Sequence, residues 1–417
     1  MQKYLPVIFV LLFKAFGSYS QCPIGFNVPD TACANVPFNI GYTSPGGQSY
    51  HWDFCTGDLD SIPTGYTIPN PNGYYGVANV KVVYDNGNYH AFFAVVNLGI
   101  VWRIDYGNSI DNAPLGMFNY AAGFASPFGV DVYKDGSNWY VFATDQDGGA
   151  SGNKMVRFDL GPNITANIYT TTAFTDPGFS TPRGIKIVKD NNLFYIITGS
   201  VTNSSLCKWE FGNSLGNAVS NITYYNILPN NNASSIDIVY DCVSGKYAGF
   251  VSQEDVHKIA VIDFGTSMSG TPVFLHAFTV PVSSPRGVNV VLDGTKWHVW
   301  SVANQNSVIQ QLVLGNDIFN PAPVTGYFAA PSSMVSPSGF DLFRDNDTSA
   351  WRGFICDYNP PNFILIKFET MCNASQGVSD IAAPQNISYS QSGMQYMNFN
   401  LDSNDVTTYY TDSIYIG

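Results

Sequence analysis

A tripeptide of acidic residue, bulky apolar residue and glycine recurs along this chain, as Asp105-Tyr106-Gly107, Asp159-Leu160-Gly161, Glu210-Phe211-Gly212 and Asp263-Phe264-Gly265. Degenerate copies follow at Val313-Leu314-Gly315 and Lys367-Phe368-Glu369. Upstream of each lies a short alternating strand: Val80-Lys81-Val82, Val130-Asp131-Val132, Ile185-Lys186-Ile187, Ile236-Asp237-Ile238, Val288-Asn289-Val290 and Phe340-Asp341-Leu342. Successive copies stand roughly fifty residues apart, the repeat length of a propeller blade. Within a unit the first strand ends in a turn such as Asp85-Asn86-Gly87 or Asp135-Gly136, where a left-handed backbone costs little. An aromatic second strand follows, for example Trp139-Tyr140-Val141-Phe142, and a polar loop leads to a third strand ending at the glycine. A segment such as Asn213-Ser214-Leu215-Gly216-Asn217 opens a fourth. Six such units predict an all-β chain, a six-bladed β-propeller of four-stranded antiparallel blades. A sandwich with the same number of strands would need no such period.

The composition agrees. Of 417 residues, 45% are hydrophobic, 15% aromatic and only 12% charged, which supplies a core and favours strands over helices. A formal charge of −13 with only 18 Lys and Arg argues against nucleic acid, because phosphate binding needs clustered cations. Residues 1–20 have the form of a secretory signal peptide: Lys3, an apolar run from Leu5 to Phe13, and Ser18-Tyr19-Ser20 before Gln21. No other stretch is apolar enough to cross a bilayer as a helix. Seven cysteines then enter an oxidising compartment, where disulfides are the default and an odd count leaves at least one unpaired within the chain. None forms a CxxC pair, which argues against structural zinc.

The flanks of the repeat carry a second signal. Ser49-Tyr50-His51-Trp52-Asp53-Phe54 runs into Cys55-Thr56-Gly57-Asp58, and this resembles the Trp-Asp-Phe-Gly-Asp-Gly signature of PKD domains, which are immunoglobulin-like sandwiches. Cysteine stands here at the first glycine. The segment that follows the signature in that family is found only after the last blade, as Ile387-Ser388-Tyr389-Ser390 and Gly393 to Phe399, with a closing strand Asp412-Ser413-Ile414-Tyr415-Ile416. The resemblance implies a separate sandwich built from residues 21–60 and 376–417, with the propeller, 61–375, inserted in one loop; the bland alternative is that the terminal strands close the ring or extend its last blade. On the inserted arrangement, Cys55 at the entrance and Cys372 at the exit are candidates for one bridge and Cys22 and Cys33 for another, while Cys207, Cys242 and Cys356 lie in or beside blade strands as candidate buried thiols; the sequence leaves the connectivity open. The architecture also resembles surface proteins of Bacteroidota, including gliding and type IX secretion substrates. In that setting Asp30-Thr31-Ala32, Asp60-Ser61-Ile62 and Asp412-Ser413-Ile414 fit an O-glycosylated tripeptide. Asn-x-Ser/Thr sites at Asn163, Asn203, Asn221, Asn232, Asn346, Asn373 and Asn386 matter only in a eukaryotic secretory route.

Propeller ligands usually occupy one mouth of the central channel. The inner strands bring one polar position to the axis, Lys81, Asp131, Lys186, Asp237, Asn289 and Asp341, a ring that either pairs internally around trapped water or holds a polar ligand. Calcium suits the aspartates, although two lysines oppose it, and no other cofactor is expected. Each inner strand is approached through Pro127-Phe128-Gly129, Pro182-Arg183-Gly184, Pro285-Arg286-Gly287 or Pro337-Ser338-Gly339. Arg183 and Arg286 there can bind a carboxylate or sugar, or pair with the ring aspartates. Asp145, Asp147, Gln253, Glu254, Asn304 and Asp357 share that face. An enzyme is harder to assemble. Two of three glutamates, Glu210 and Glu369, occupy the repeat position, five histidines show no metal spacing, and no serine elbow exists. The expectation is a secreted, non-catalytic surface binding, adhesion or assembly module whose partner is a glycan or a surface or outer-membrane protein. The alternative is a carbohydrate-active hydrolase or lyase using channel aspartates.

Overall fold

The computed structural model describes residues 26–29, 31–42, 49–146, 153–178, 180–202, 206–229, 232–280, 283–305, 307–329, 334–345, 350–359, 361–369, 374–376, 378–391, 393–402 and 407–416. The signal-peptide segment, Cys22, Cys372, Asp30, Asp147, Asn203, Asn346 and Asn373 lie outside them.

Six four-stranded antiparallel units succeed one another, and their inner strands are Val77–Asp85, Pro127–Asp135, Pro182–Asp190, Ser235–Asp241, Pro285–Asp293 and Pro337–Arg344. The chain is a six-bladed β-propeller. Blades one to five are contiguous in sequence. The sixth takes three strands from the end of the repeat, Pro337–Arg344, Trp351–Asp357 and Phe363–Lys367, and its outer strand from Thr64–Ile68, paired Phe363↔Ile68 through Lys367↔Thr64. Ring closure therefore joins residues about 300 positions apart. Apolar clusters fill the spaces between blades, for instance Val239, Phe250 and Val261 of the fourth against Val290, Val299 and Ile318 of the fifth.

The recurring tripeptide acquires a physical role. Its glycine takes a left-handed turn (φ 74° at Gly107, 68° at Gly161, 70° at Gly212, 76° at Gly265, 75° at Gly315), and an apolar residue three positions on, Ile110, Ile164, Leu215, Met268 or Ile318, is buried between blades. Its acid holds a base two positions earlier on the same strand face: Arg103–Asp105 at 3.0 Å, Arg157–Asp159 at 2.5 Å and Lys208–Glu210 at 3.2 Å. Each of those bases then donates to the backbone carbonyl of the next blade's buried residue, Arg103 to Ile164, Arg157 to Leu215 and Lys208 to Met268. In the fifth blade Gln311 does the same to Leu59, at 2.7 Å. Gly57, at φ 93°, and buried Leu59 are thus the sixth blade's copy of the turn, supplied by the N-terminal flank.

Both flanks meet in one sheet. Ser49–Asp53 lies between Val378–Ser379 and Gly393–Asp402, and the latter pairs with Thr407–Ile416. Phe26–Asn27 pairs with Gly41–Tyr42, and Phe38 bridges Ile387. Trp52, Phe399, Tyr389, Ile387, Ile414 and Ile416 form the core between them. The flank sheet is continuous with the ring. Thr407–Ile416 runs parallel to the fourth inner strand at Tyr240↔Thr408 and Asp241↔Tyr409, so a single sheet continues from blade into flank. The Gly57-Asp58 part of the supposed signature belongs to the sixth blade, because Asp293 accepts hydrogen bonds from the Gly57 and Leu59 amides. No helix of the described residues is long and apolar enough to cross a membrane.

The cysteine pattern differs from the expectation. Cys33 is an exposed free thiol, so no Cys22–Cys33 loop forms, and Cys242 is disulfide-bonded, as is Cys55. Cys207 and Cys356 are buried free thiols.

Candidate functional site

The axial polar positions do converge: Lys81, Asp131, Lys186, Asp237, Asn289 and Asp341 all line one channel cavity of about 260 Å³. Successive side chains of an inner strand leave on opposite faces of its sheet, so each polar position faces away from the apolar residues on either side of it, as Lys81 does from Val80 and Val82. Each carboxylate is engaged across a seam. Asp131 accepts from the Val132 and Ile187 amides at 2.9 and 2.8 Å, Asp237 from Ile238 and Val290 at 3.0 and 2.8 Å, and Asp341 from Val82 at 2.7 Å. Asn289 accepts from Leu342 at 2.6 Å and donates to Phe340 at 2.9 Å. Lys81 pairs with Asp341 at 3.0 Å and Lys186 with Asp237 at 2.7 Å. Asp131 sits above the ordinary carboxylate range because it is buried, with Lys186 and Lys81 acting in the opposite direction. The ring is a blade-to-blade latch in the first instance. Among the described residues no group of three or more His, Cys, Asp or Glu side chains is placed to hold a metal.

Loop carboxylates expected at the mouth are likewise employed. Asp145 caps the Ala125 and Ser126 amides at 2.9 and 2.7 Å, and Asp357 caps Val335 and Ser336 at 2.8 and 2.7 Å. Both are fully buried. Asn304 donates to Ser336 and Pro337.

The Pro-x-Gly approaches make a second ring, above the first. Glycine is needed there because neighbouring inner strands nearly touch: a Cβ at Gly129 would lie 2.0 Å from the Arg183 carbonyl oxygen, and one at Gly339 would lie 2.5 Å from the Asn79 Cα. The middle residues of these motifs meet one another there. Arg183 and Arg286 do not pair with the ring aspartates, as one reading of the sequence had it. Glu254, in the short turn Glu254–Val256 after the fourth blade's second strand, lies between them and takes both. Arg183 Nη1 donates to Glu254 Oε2 at 2.6 Å, and Arg286 Nε donates to Oε1 at 2.8 Å, with Arg286 Nη2 on the same oxygen. Ser234 Oγ reaches Oε2 at 3.3 Å, Gln146 accepts from Arg183 Nε at 2.6 Å, and Arg286 Nη1 donates to Ser338 at 3.3 Å. Both guanidiniums lie over the Phe128 ring, 4.5 and 5.9 Å from its centre. Burial lowers Arg183 from its ordinary value, and Glu254 opposes that shift. Sequence reasoning found the axial ring and the two arginines and put Glu254 on the same face, but missed that Glu254 bridges the arginines. The signal was present in the aligned second position of the motif, Phe128, Arg183, Ser234, Arg286 and Ser338.

No family model matches the sequence, and no curated protein matches it at a significant level. Several solved structures align with most of this chain at low identity and with TM-scores below 0.5. A subtype N10 neuraminidase-like protein from a little yellow-shouldered bat isolate is 9% identical with a TM-score of 0.48, over 75% of this chain and 99% of that one. A Bacteroides fragilis protein described as a candidate 6-phosphogluconolactonase is 12% identical (TM-score 0.45; 86% and 99%). The catalytic domain of a Coprinopsis cinerea α-L-arabinofuranosidase is 13% identical (0.40; 78% and 100%). Resemblances of this size carry no argument about what this chain does.

Proposed function

We propose that the protein is a secreted, non-catalytic binding or assembly module of the cell surface, and that a glycan or another surface protein meets it at the Pro-x-Gly mouth. One observation carries the reading. The polar groups of the channel and its loops hold blades together, whereas the Arg183–Glu254–Arg286 cluster crowns the axis with guanidinium N–H groups beyond those that its protein partners occupy. Glu254, the one glutamate outside the repeat position, is clamped on both oxygens by arginine, which takes it out of use as an acid or base. Export is supported by the residues 1–20 pattern and by bonded Cys55 and Cys242, which require an oxidising compartment. A PKD-like affiliation of the flank sheet, a Cys55–Cys372 bridge at the neck and a place in a gliding or type IX secretion apparatus extend the same proposal.

The test is a glycan array and a surface-protein pull-down with the mature chain, each followed by analysis of the recovered ligand for turnover. Retention of intact ligand, weakened by Arg183→Gln, is the expected result. Cleavage of the ligand that disappears in Asp131→Asn or Asp237→Asn would replace this reading with a hydrolase or lyase working through the channel aspartates.

A further inference from the structure

We propose that the Arg183–Glu254–Arg286 cluster is a carboxylate-binding subsite that selects acidic sugars, such as uronates, over neutral ones. This deepens the binding reading above and rests on it.

Charge matching across the molecule carries the argument. Arg103 and Arg157 each have a carboxylate of their own, in Asp105 and Asp159. Arg352 has Asp345 and Asp111, and Arg344 has Asp53, Asp58 and Asp293. Lys154 and Lys208 follow suit with Asp145 and Glu210. Arg183 and Arg286 share one carboxylate between two cations. Their side chains keep only 18% and 15% of their exposure, so a surplus positive charge is held mostly out of water in a chain whose formal charge is −13. A desolvated surplus charge is unfavourable until an anion meets it. Asp255, exposed one position beyond Glu254, acts on Arg183 through space as a minor influence.

Geometry makes the surplus usable. Arg183 Nε is fixed by Gln146, Nη1 by Glu254, and the guanidinium plane rests on Phe128, which leaves Nη2 as a preoriented donor at the mouth. A planar fork of this kind suits a carboxylate better than a point charge does. A sugar is taken as the carrier in keeping with the glycan of the binding reading above, and the acidic-peptide arm of the experiment tests that choice.

Titration of the mature, full-length chain with trigalacturonate, with a neutral galactose trisaccharide and with an acidic tripeptide tests this. The expected result is a preference for trigalacturonate of about tenfold or more, falling as salt rises. Arg183→Gln abolishes the preference. Glu254→Gln, which removes the internal anion, leaves it intact or enlarges it, a sign that general loosening of the mouth would not produce. Melting curves within a few degrees of wild type establish that both variants fold. Equal binding of the acidic and neutral trisaccharides, or an unchanged preference in Arg183→Gln, overturns the carboxylate subsite and leaves the mouth as a binding face. Stronger binding of the peptide than of either sugar overturns the choice of sugar. Failure of all three probes, with a surface protein captured instead, refutes the subsite and removes glycan from the proposed function.

Discussion

Arg344 is buried at the junction of ring and flank with three carboxylates, Asp53, Asp58 and Asp293, and it also donates to the Cys55 carbonyl. One cation cannot neutralise three anions. Burial accordingly pushes Asp53 from 3.8 to about 7, with Arg344 pulling it down and Asp293 pushing it further up. The native state then binds the Asp53 proton more tightly than the unfolded chain does. Its stabilising contribution is complete at acid pH and is lost as the pH rises from about 4 towards about 7. Thermal melts should show stability declining over that window, and Asp53→Asn should flatten the decline while matching or exceeding wild type at pH 8. A variant with an unchanged slope would refute the assignment. The thiols behave as differently as their surroundings. Burial raises Cys207 to about 12 and lifts Cys356 further, so both are protonated and shielded. Among the described cysteines, alkylation of the native protein should label Cys33, with Cys207 and Cys356 reacting only in denaturant.

At the scale of the element, the seams between blades repeat one device, a third-strand base or amide reaching the turn of the following blade. Arg157→Ala should destabilise by about 3 kcal/mol, because Asp159 and the Leu215 and Asn217 carbonyls lose their shared partner. Gln311→Ala should cost about 1–3 kcal/mol by stranding the buried Leu59 carbonyl. Equilibrium denaturation measures both; an effect below about 0.5 kcal/mol at either site would show that the latch is incidental. These elements also mark what could be read in advance. Five blades were legible because the glycine, the alternating inner strand and the Asx turn each require particular residue types. The sixth was misread at one end. Its own tripeptide is degraded to Lys367-Phe368-Glu369, and the functional copy, Gly57-Asp58-Leu59, stands some 300 positions away among residues that resemble another domain's signature. The mouth was legible only in part, since which anion meets Arg183 depends on a loop, Glu254–Val256, whose course follows from its seat on the fourth blade.

On the scale of the whole molecule, ring and flank share a continuous sheet, the Arg344 cluster and a contact from Asn398 to the Leu292 carbonyl. Such a joint leaves little room for independent melting. Calorimetry should therefore record a single endotherm, and two resolved transitions would separate the modules energetically. The outer strand Thr64–Ile68 has a further consequence for biogenesis. Thr64–Ile68 precedes the repeats in the chain, yet it finds its mate, Phe363–Lys367, only after the last of them has been made. Every prematurely terminated product consequently carries an open circle with an unsatisfied backbone edge. Closure of the sixth blade thus reports that the whole repeat has been made, and the topology serves as a proof of completeness.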